Sequence, residues 1–315
     1  MRKIAAYTAL LLIPVLLAAG FPVHNGTALS GEISLVEPPV VPLTDRFEKA
    51  VGQWISELSQ QSEFSDWVGA EWRREPLGPG MHGWIVLLST KGKEVGYLVV
   101  SVDLNGTFIL SEYGHGEYPL FSESTLYRSL VRQELIPTST TYEAFIEDTG
   151  IIRSPHYYSP LQNIWSITID GDDYWLDGKT GELLPLGLEV VDEMSQRQGL
   201  LPGISVIETP NEATEVIANL TLPDYDPFYD LSWLTEPQLK IKDLQKLQAL
   251  LDQNMKLTYV TELYDQAVLY AFAVTGYHGW DYGGPYIRLE HDGPRYVPAE
   301  ALMPGGRFYS SKGSP

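Results

Sequence analysis

Histidines with acidic neighbours are the side chains of this chain with the most obvious potential for chemistry. No histidine stands in a His-Glu-X-X-His motif or a comparable ligand spacing, so no metal site is predicted. His278 lies three residues before Asp281, and His291 directly precedes Asp292. If their strands pair, these residues and Glu290 would converge and could serve a hydrolase. The alternative is that they are polar tips of hairpins without a chemical role.

Other catalytic and cofactor motifs are missing from the sequence. The acidic run from Asp170 to Asp177 suggests a calcium loop, but Tyr174 and Trp175 occupy the positions where an EF-hand needs a ligand and a glycine. No Gly-X-Ser-X-Gly elbow occurs, and no glycine-rich segment precedes the Lys and Ser or Thr of a phosphate-binding loop. We therefore predict no catalytic residue, no metal and no cofactor.

A glycine-rich aromatic segment over 276–286 is the candidate binding surface. Four glycines alternate there with aromatic residues. Such a composition can present rings to a glycan, a peptide or a partner strand, because aromatic side chains combine apolar area with a polar edge. The alternative is that the rings pack over glycine turns inside the fold. The candidate residues are Tyr277, His278, Trp280, Tyr282 and Tyr286.

Charge and composition restrict the classes of partner. The chain has 41 Asp and Glu against 21 Lys and Arg, a formal net charge of -20, which argues against a nucleic-acid partner. The absence of cysteine rules out disulfides, thiol catalysis and thiolate metal sites. Because 44% of the residues are hydrophobic, stability is expected from buried cores. Exported domains without disulfides are common in Gram-positive bacteria, so we expect the protein to come from such a cell.

The first 28 residues have the order of charged, apolar and small residues that is typical of a secretory signal peptide. Arg2 and Lys3 precede an apolar run from Ile4 to Ala19. This run is shorter than the roughly 20 apolar residues that cross a bilayer, and it contains Pro14, so removal is favoured over a retained anchor. We therefore expect a secreted or envelope protein with no stable membrane span after signal removal.

Hydrophobic periodicity predicts an α+β fold with two domains, each an amphipathic helix packed on an antiparallel sheet. The first helix should be capped by Asp45. The second should start at Pro237 and precede a small, barrel-like sheet. Between them, an acidic and aromatic stretch from Asp224 to Trp233 could pack across a domain face. The predicted segments are a signal peptide over 1–28, an extended tether over 29–43, a first domain over 44–188, an interdomain linker over 189–232, a second domain over 233–309 and a disordered tail over 310–315.

Short stretches of the chain resemble known extracytoplasmic modules. Residues 174–184, Tyr-Trp-Leu-Asp-Gly-Lys-Thr-Gly-Glu-Leu-Leu, resemble the closing hairpin of PepSY-type domains. Residues 96–103 are similar to a strand of cystatin-like prosegments and inhibitors of secreted proteases. Residues 293–302 look like the strand and helical turn of small envelope-associated SH3-like modules. The first two resemblances imply a helix on a curved antiparallel sheet and a non-catalytic role.

The expected function is that of a secreted, non-catalytic binding or protease-regulating accessory protein of the cell envelope. Its partner would be a secreted or envelope protein, a protease among them. Since no peptidase domain follows, the chain would act on such a partner in trans. The alternatives are a hydrolase of an unrecognised family with an interdomain cleft, and a structural envelope protein.

Overall fold

The architecture is known from a computed structural model that describes residues 43–78, 82–103, 105–197, 207–208, 215–241, 243–281 and 283–311. The predicted signal peptide and all but the last residue of the predicted tether lie outside these ranges. The chain contains no cysteine, so the fold has no disulfide bonds.

Helix α1, Leu43–Leu58, forms the first layer of the fold. The prediction that Asp45 caps this helix is wrong, because the helix begins at Leu43 and Asp45 lies inside its first turn, where a carboxylate interacts favourably with the positive end of the helix dipole. Phe47 and Trp54 belong to the predicted apolar stripe, and both are buried. A 3₁₀ helix, Ser62–Trp67, follows and continues the layer.

The remaining elements alternate between strands and short helices. The strands are β1 Glu71–Pro76, β2 Gly83–Thr90, β3 Lys93–Val102, β4 Phe108–His115, β5 Ile152–Ser159, β6 Gln162–Ile169, β7 Asp172–Asp177, β8 Ile207–Glu208, β9 Val216–Thr221, β10 Leu257–Leu263, β11 Val268–Trp280, β12 Tyr286–Glu290, β13 Pro294–Pro298 and β14 Arg307–Ser310. The helices are α2 Glu123–Arg132, α3 Tyr142–Glu147, α4 Leu188–Arg197, α5 Pro227–Asp230, α6 Ser232–Thr235, α7 Leu244–Asp252 and α8 Ala299–Leu302.

The predicted α+β class is confirmed. Within the described ranges, eleven strands form one antiparallel sheet, in which nine follow the order β1-β2-β3-β4-β13-β12-β11-β10-β14. β8 pairs with β4, and β9 pairs with β11. A second, three-stranded sheet has the order β5-β6-β7. Among the described helices, none combines the length and the apolar character needed to cross a bilayer.

The prediction of two domains with a barrel-like second module is not confirmed. β13 pairs antiparallel with β4, with Tyr296 opposite Tyr113 and Arg295 opposite Gly114. Strands from both predicted domains therefore belong to one sheet, and the described residues form one compact unit. The pairing satisfies backbone groups that would otherwise be exposed at a sheet edge.

Parts of the predicted linker and tail have regular structure. β9 pairs with β11, placing Asn219 opposite His278, and α4 packs Val191 and Met194 into a hydrophobic cluster. Ser310 pairs with Leu257 of β10, so β14 includes the first residue of the predicted tail. Residues 198–206, 209–214 and 312–315 lie outside the description.

The second predicted helix begins later than Pro237. Asp243 caps α7 by accepting a hydrogen bond from the Lys246 backbone N–H, at 2.8 Å. Upstream, Leu239 forms a β-bridge with Phe308 of β14. The chain is therefore extended where the Pro237 signal predicts the first helical turn.

The two faces of the large sheet have separate cores. On the first face, α1 and the 3₁₀ helix pack on residues such as Leu98 and Tyr113. On the second face, the small sheet and α2 pack on residues such as Val99. α7 covers the second face at the β10–β12 end. This arrangement leaves polar clusters between the layers.

Candidate functional site

Most of the residues predicted to form an aromatic binding surface lie in the interior of the protein. This agrees with the alternative that the rings pack inside the fold. Tyr277, His278, Trp280 and Tyr286 are all buried, and Tyr282 lies outside the described residues. The cause is the length of β11, which continues to Trp280 and is flanked there by β9 and β12. These four side chains therefore present no surface to a partner.

Glu63 of the 3₁₀ helix is the centre of a polar cluster that sequence reasoning missed. The His278 Nε2 atom lies 3.2 Å from Glu63 Oε1, and His115 Nε2 lies 3.4 Å from Oε2. The Tyr296 hydroxyl donates to Oε1, and the Arg288 Nε atom lies 3.6 Å from Oε2. The carboxylate thereby joins the 3₁₀ helix to four strands, β4, β13, β12 and β11.

A single tautomer of His278 satisfies the hydrogen bonds behind Glu63. Trp280 Nε1 donates to the Tyr113 hydroxyl at 3.2 Å, and that hydroxyl lies 2.9 Å from His278 Nδ1. With its proton on Nε2, neutral His278 accepts from Tyr113 and donates to Glu63. Burial lowers the His278 pKa, which favours this neutral form.

The Glu63 carboxylate is held ionised. Burial alone would raise its pKa, but the hydrogen bonds with His278 and Tyr296 and the nearby His115 ring outweigh burial and bring the pKa well below its usual range. Its acceptor positions are occupied by donors of this chain. The arrangement therefore holds the 3₁₀ helix on the sheet.

Arg288 links this cluster to the surface. Its Nη1 atom donates to Asp224 Oδ1 at 2.7 Å, and its Nη2 atom lies 3.9 Å from Glu290 Oε2. Arg288 is buried, whereas the Asp224 side chain is about half exposed. One guanidinium therefore serves three carboxylates, those of Glu63, Asp224 and Glu290.

Four of the five residues that could converge in a hydrolase site have different partners. His278 contacts Glu63, whereas His291 Nδ1 lies 3.2 Å from Arg295 Nη1. Asp281 accepts from the Glu215 backbone N–H. Glu290 accepts from the Gly293 N–H and approaches Arg288, which is its link to the Glu63 cluster. The described part of the chain contains no group of three His, Asp or Glu residues arranged to hold a metal ion.

A second buried network lies on the opposite face. Glu112 Oε1 accepts from Arg295 Nε at 3.0 Å and from the Tyr97 hydroxyl at 2.6 Å, while its Oε2 accepts from the Tyr157 hydroxyl at 3.0 Å. All four residues are buried. Burial lowers the pKa of neighbouring His291 to about 3, so this histidine is neutral at ordinary pH. The network joins β3, β4 and β13 to the small sheet.

The turn that resembles PepSY domains is fixed against the large sheet. Asp177 Oδ1 accepts from the backbone N–H groups of Lys179 and Thr180, both at 2.8 Å. Its Oδ2 accepts from the Tyr270 hydroxyl at 2.7 Å. Lys179 is buried, and its ammonium donates to the carbonyl oxygens of Tyr118 and, at 2.6 Å, Asp292. These contacts give the turn a structural role.

A groove of about 620 Å³ lies beside the β2–β3 turn and α2. Some of the charged groups that line it have partners within the chain. The Arg73 guanidinium lies 3.5 Å from the Glu94 carboxylate, and Arg128 lies over the Tyr118 ring. These contacts compensate part of the charge that lines the groove.

An exposed apolar patch distinguishes residues 224–236, which we call the acidic-aromatic turn. Phe228 is 57% exposed, Tyr229 93%, Leu231 41% and Leu234 63%. Other exposed large apolar side chains include isolated ones such as Val68. The turn contains the acidic and aromatic stretch from Asp224 to Trp233 that the sequence singles out. Pro227 and Ser232 of this stretch are buried, and the Tyr225 hydroxyl lies 3.2 Å from that of Thr258 in β10, whereas the four apolar side chains above are exposed.

The acidic-aromatic turn is well anchored. Asp226 caps α5 by accepting from the Phe228 N–H at 2.8 Å, and Trp233 Nε1 donates to the Pro227 carbonyl oxygen at 3.1 Å. Leu231, between α5 and α6, has φ 53° and ψ 17°. This left-handed conformation costs a leucine on the order of 1 kcal/mol, and its neighbours hold it in place. The turn therefore displays its apolar side chains on a fixed backbone.

Comparisons of the chain with protein-family models, with curated proteins and with solved structures gave no match.

Proposed function

We propose that this chain is a non-catalytic binding protein of the extracytoplasmic space, an accessory or protease-regulating protein of the cell envelope. The acidic-aromatic turn is its contact with a protein partner. The observation that carries the proposal is the exposure of Phe228, Tyr229, Leu231 and Leu234 within seven consecutive residues. Contiguous exposed apolar surface on an ordered segment is typical of interaction sites.

The chemistry of these side chains suits protein recognition. Tyr229 is almost fully exposed, and tyrosine is enriched among the residues that dominate binding energy at interfaces. Because the segment is anchored by the Asp226 cap and the Trp233 hydrogen bond, little conformational freedom is lost on binding. The strained backbone at Leu231 agrees with a functional role, since strain is often retained at such sites.

Differential affinity purification tests the proposal. The protein, a Tyr229→Ser/Leu234→Ser variant and a Val68→Ser/Ile152→Ser control would each be immobilised and exposed to the culture medium and envelope extract of the producing cell. Val68 and Ile152 are 67% and 61% exposed, so the control removes apolar surface elsewhere. A partner protein should be recovered with the wild type and the control, and at least tenfold less with the turn variant. Equal recovery by all three proteins would refute the proposal.

Protease regulation is tested with the same three proteins. Activity of secreted proteases from the same medium would be measured with increasing amounts of each protein. Inhibition or activation that disappears in the turn variant and persists in the control supports a protease as the partner. The absence of any effect removes the protease-regulating version and leaves the broader binding role to the purification experiment.

Export is part of the proposal and rests on the leader-like sequence over 1–28. N-terminal sequencing of the protein recovered from medium tests it. A chain that starts after the apolar run is expected. Recovery from the cytosol with Met1 still attached would contradict export.

A further inference from the structure

We infer that the acidic-aromatic turn binds a cationic, amphipathic polypeptide segment, whose apolar side chains cover Tyr229 and Leu234 and whose Lys or Arg side chains pair with Asp226 and Asp230. This inference rests on the proposed function and specifies the chemistry of the partner. It follows from the charges around the patch, from its area and from the net charge of the chain.

The exposed carboxylates of Asp226 and Asp230 lie beside the apolar side chains, whereas two cations lie at the other end of the turn, where Arg288 pairs with Asp224 and the Lys256 ammonium is 5.6 Å from the centre of the Tyr225 ring. Residues 224–236 contain Asp224, Asp226, Asp230 and Glu236 and no Lys or Arg. Asp226 and Asp230 are exposed beside Phe228 and Tyr229. A purely apolar partner would remove water from these carboxylates without replacing its hydrogen bonds, which is unfavourable. A partner with basic residues at the rim of its apolar stripe would instead pair with them.

The area of the patch fits one segment of polypeptide. The exposed fractions of Phe228, Tyr229, Leu231 and Leu234 correspond to roughly 500 Å² of side-chain surface. A standard protein interface buries about 800 Å² on each side. A helix or strand that lays one face on the turn matches the smaller area.

Other occupants are disfavoured by charge. A second copy of this chain would bring the same exposed carboxylates, Asp226 and Asp230, to the contact, and like charges at an interface are repulsive. An anionic membrane surface would be repelled by the same carboxylates and by the net charge of -20. The turn therefore complements a basic polypeptide better than a copy of itself or an anionic lipid surface.

The direct test is a binding titration with two designed peptides of about 14 residues. Both form amphipathic helices with a leucine stripe, and one carries lysines at the rim of the stripe where the other carries glutamates. Binding to the purified protein is followed by fluorescence anisotropy at low salt. We expect the lysine peptide to bind with micromolar affinity and the glutamate peptide to bind at least tenfold more weakly.

Variants locate the binding site. Asp226→Asn/Asp230→Asn should weaken binding of the lysine peptide five- to tenfold while keeping the helix cap, because Asn also caps helices well. Tyr229→Ser/Leu234→Ser should weaken it at least tenfold. The matched control, Asp170→Asn/Asp172→Asn, removes two exposed charges at the β6–β7 turn and should change affinity less than twofold. Unchanged circular dichroism spectra confirm that each variant is folded.

Four results would overturn the inference. The turn variant Asp226→Asn/Asp230→Asn and the control Asp170→Asn/Asp172→Asn could weaken binding of the lysine peptide equally, which would assign the effect to the overall charge. The glutamate peptide could bind as tightly as the lysine peptide. Phosphatidylcholine vesicles could bind through the turn while the lysine peptide does not, which assigns the patch to lipid. Sedimentation could show a dimer that Tyr229→Ser abolishes. If the peptides fail but affinity purification still distinguishes the turn variant, only the partner chemistry is wrong and the proposed function stands.

Discussion

Lys179 gives the most quantitative prediction of this structure. Its side chain is 1% exposed, and its ammonium donates to the carbonyl oxygens of Tyr118 and Asp292. Burial lowers its pKa from 10.5 to about 8, and neighbouring Arg295 acts in the same direction. Each pKa unit corresponds to about 1.4 kcal/mol, so the shift corresponds to roughly 3 kcal/mol in the free energy of unfolding.

The sign of the pH dependence follows from proton binding. Between pH 8 and 10.5 the unfolded chain holds the Lys179 proton more tightly than the folded chain, so this residue makes stability rise with pH. The penalty for burying the ammonium is fully present below about pH 8. Lys179→Met removes the titrating group while keeping a similar length of side chain. The free energy of unfolding of the wild type minus that of the variant should therefore increase by about 3 kcal/mol from pH 7.5 to 10.5.

Urea unfolding followed by tryptophan fluorescence at several pH values measures this difference. The buried tyrosines have raised pKa values and oppose the trend at high pH, but they are present in both proteins and cancel in the subtraction. Lys246→Met, at an exposed lysine of α7, controls for the loss of a lysine at the surface. A difference between wild type and Lys179→Met that stays constant within about 1 kcal/mol across this range would refute the reasoning.

Three further substitutions test the packing of the layers, each by denaturant unfolding. Glu63→Ala should destabilise by about 3 kcal/mol at pH 7, because buried donors lose their acceptor. Since the folded-state pKa of Glu63 is depressed, its contribution is present above the unfolded pKa of about 4.5 and is lost as pH falls, so the deficit should shrink in acid. Arg295→Met should destabilise by about 3–5 kcal/mol by leaving Glu112 buried without its cation, and adding Glu112→Gln should recover part of this loss. Gly276→Ala should destabilise by about 3 kcal/mol, because a Cβ there would overlap the Leu220 carbonyl oxygen of β9 and φ is 149°. An effect below about 1 kcal/mol in any of these would contradict the corresponding contact.

A helix or turn can be predicted from the sequence when the residues that stabilise it are close together in the chain. The apolar spacing of Phe47, Val51 and Trp54 predicts α1, whose stripe is buried. The Asp177 to Gly181 turn is also local, because Asp177 accepts from the backbone of the residues that follow it. Such features can be predicted because their hydrogen bonds and periodicity are written in neighbouring residues.

Long-range pairing explains what sequence reasoning missed. Tyr113 of β4 and Tyr296 of β13 are 183 residues apart, and nothing local to either strand indicates the pairing that joins both halves in one sheet. Glu63 lies in a short polar segment that is typical of a solvated loop, and its partners come from four distant strands. The glycine-rich composition of 276–286 suggests a loop, yet pairing on both sides of β11 buries its rings.

Site-specific photo-crosslinking at Tyr229 tests most directly whether the acidic-aromatic turn is a contact with a protein partner. A photoreactive phenylalanine analogue would replace Tyr229 in cells that produce the protein, and Ile152, which is 61% exposed on β5, would be the control position. We expect one discrete adduct from position 229 and none of that mass from position 152. No adduct at 229, or the same adduct from both positions, would contradict this expectation.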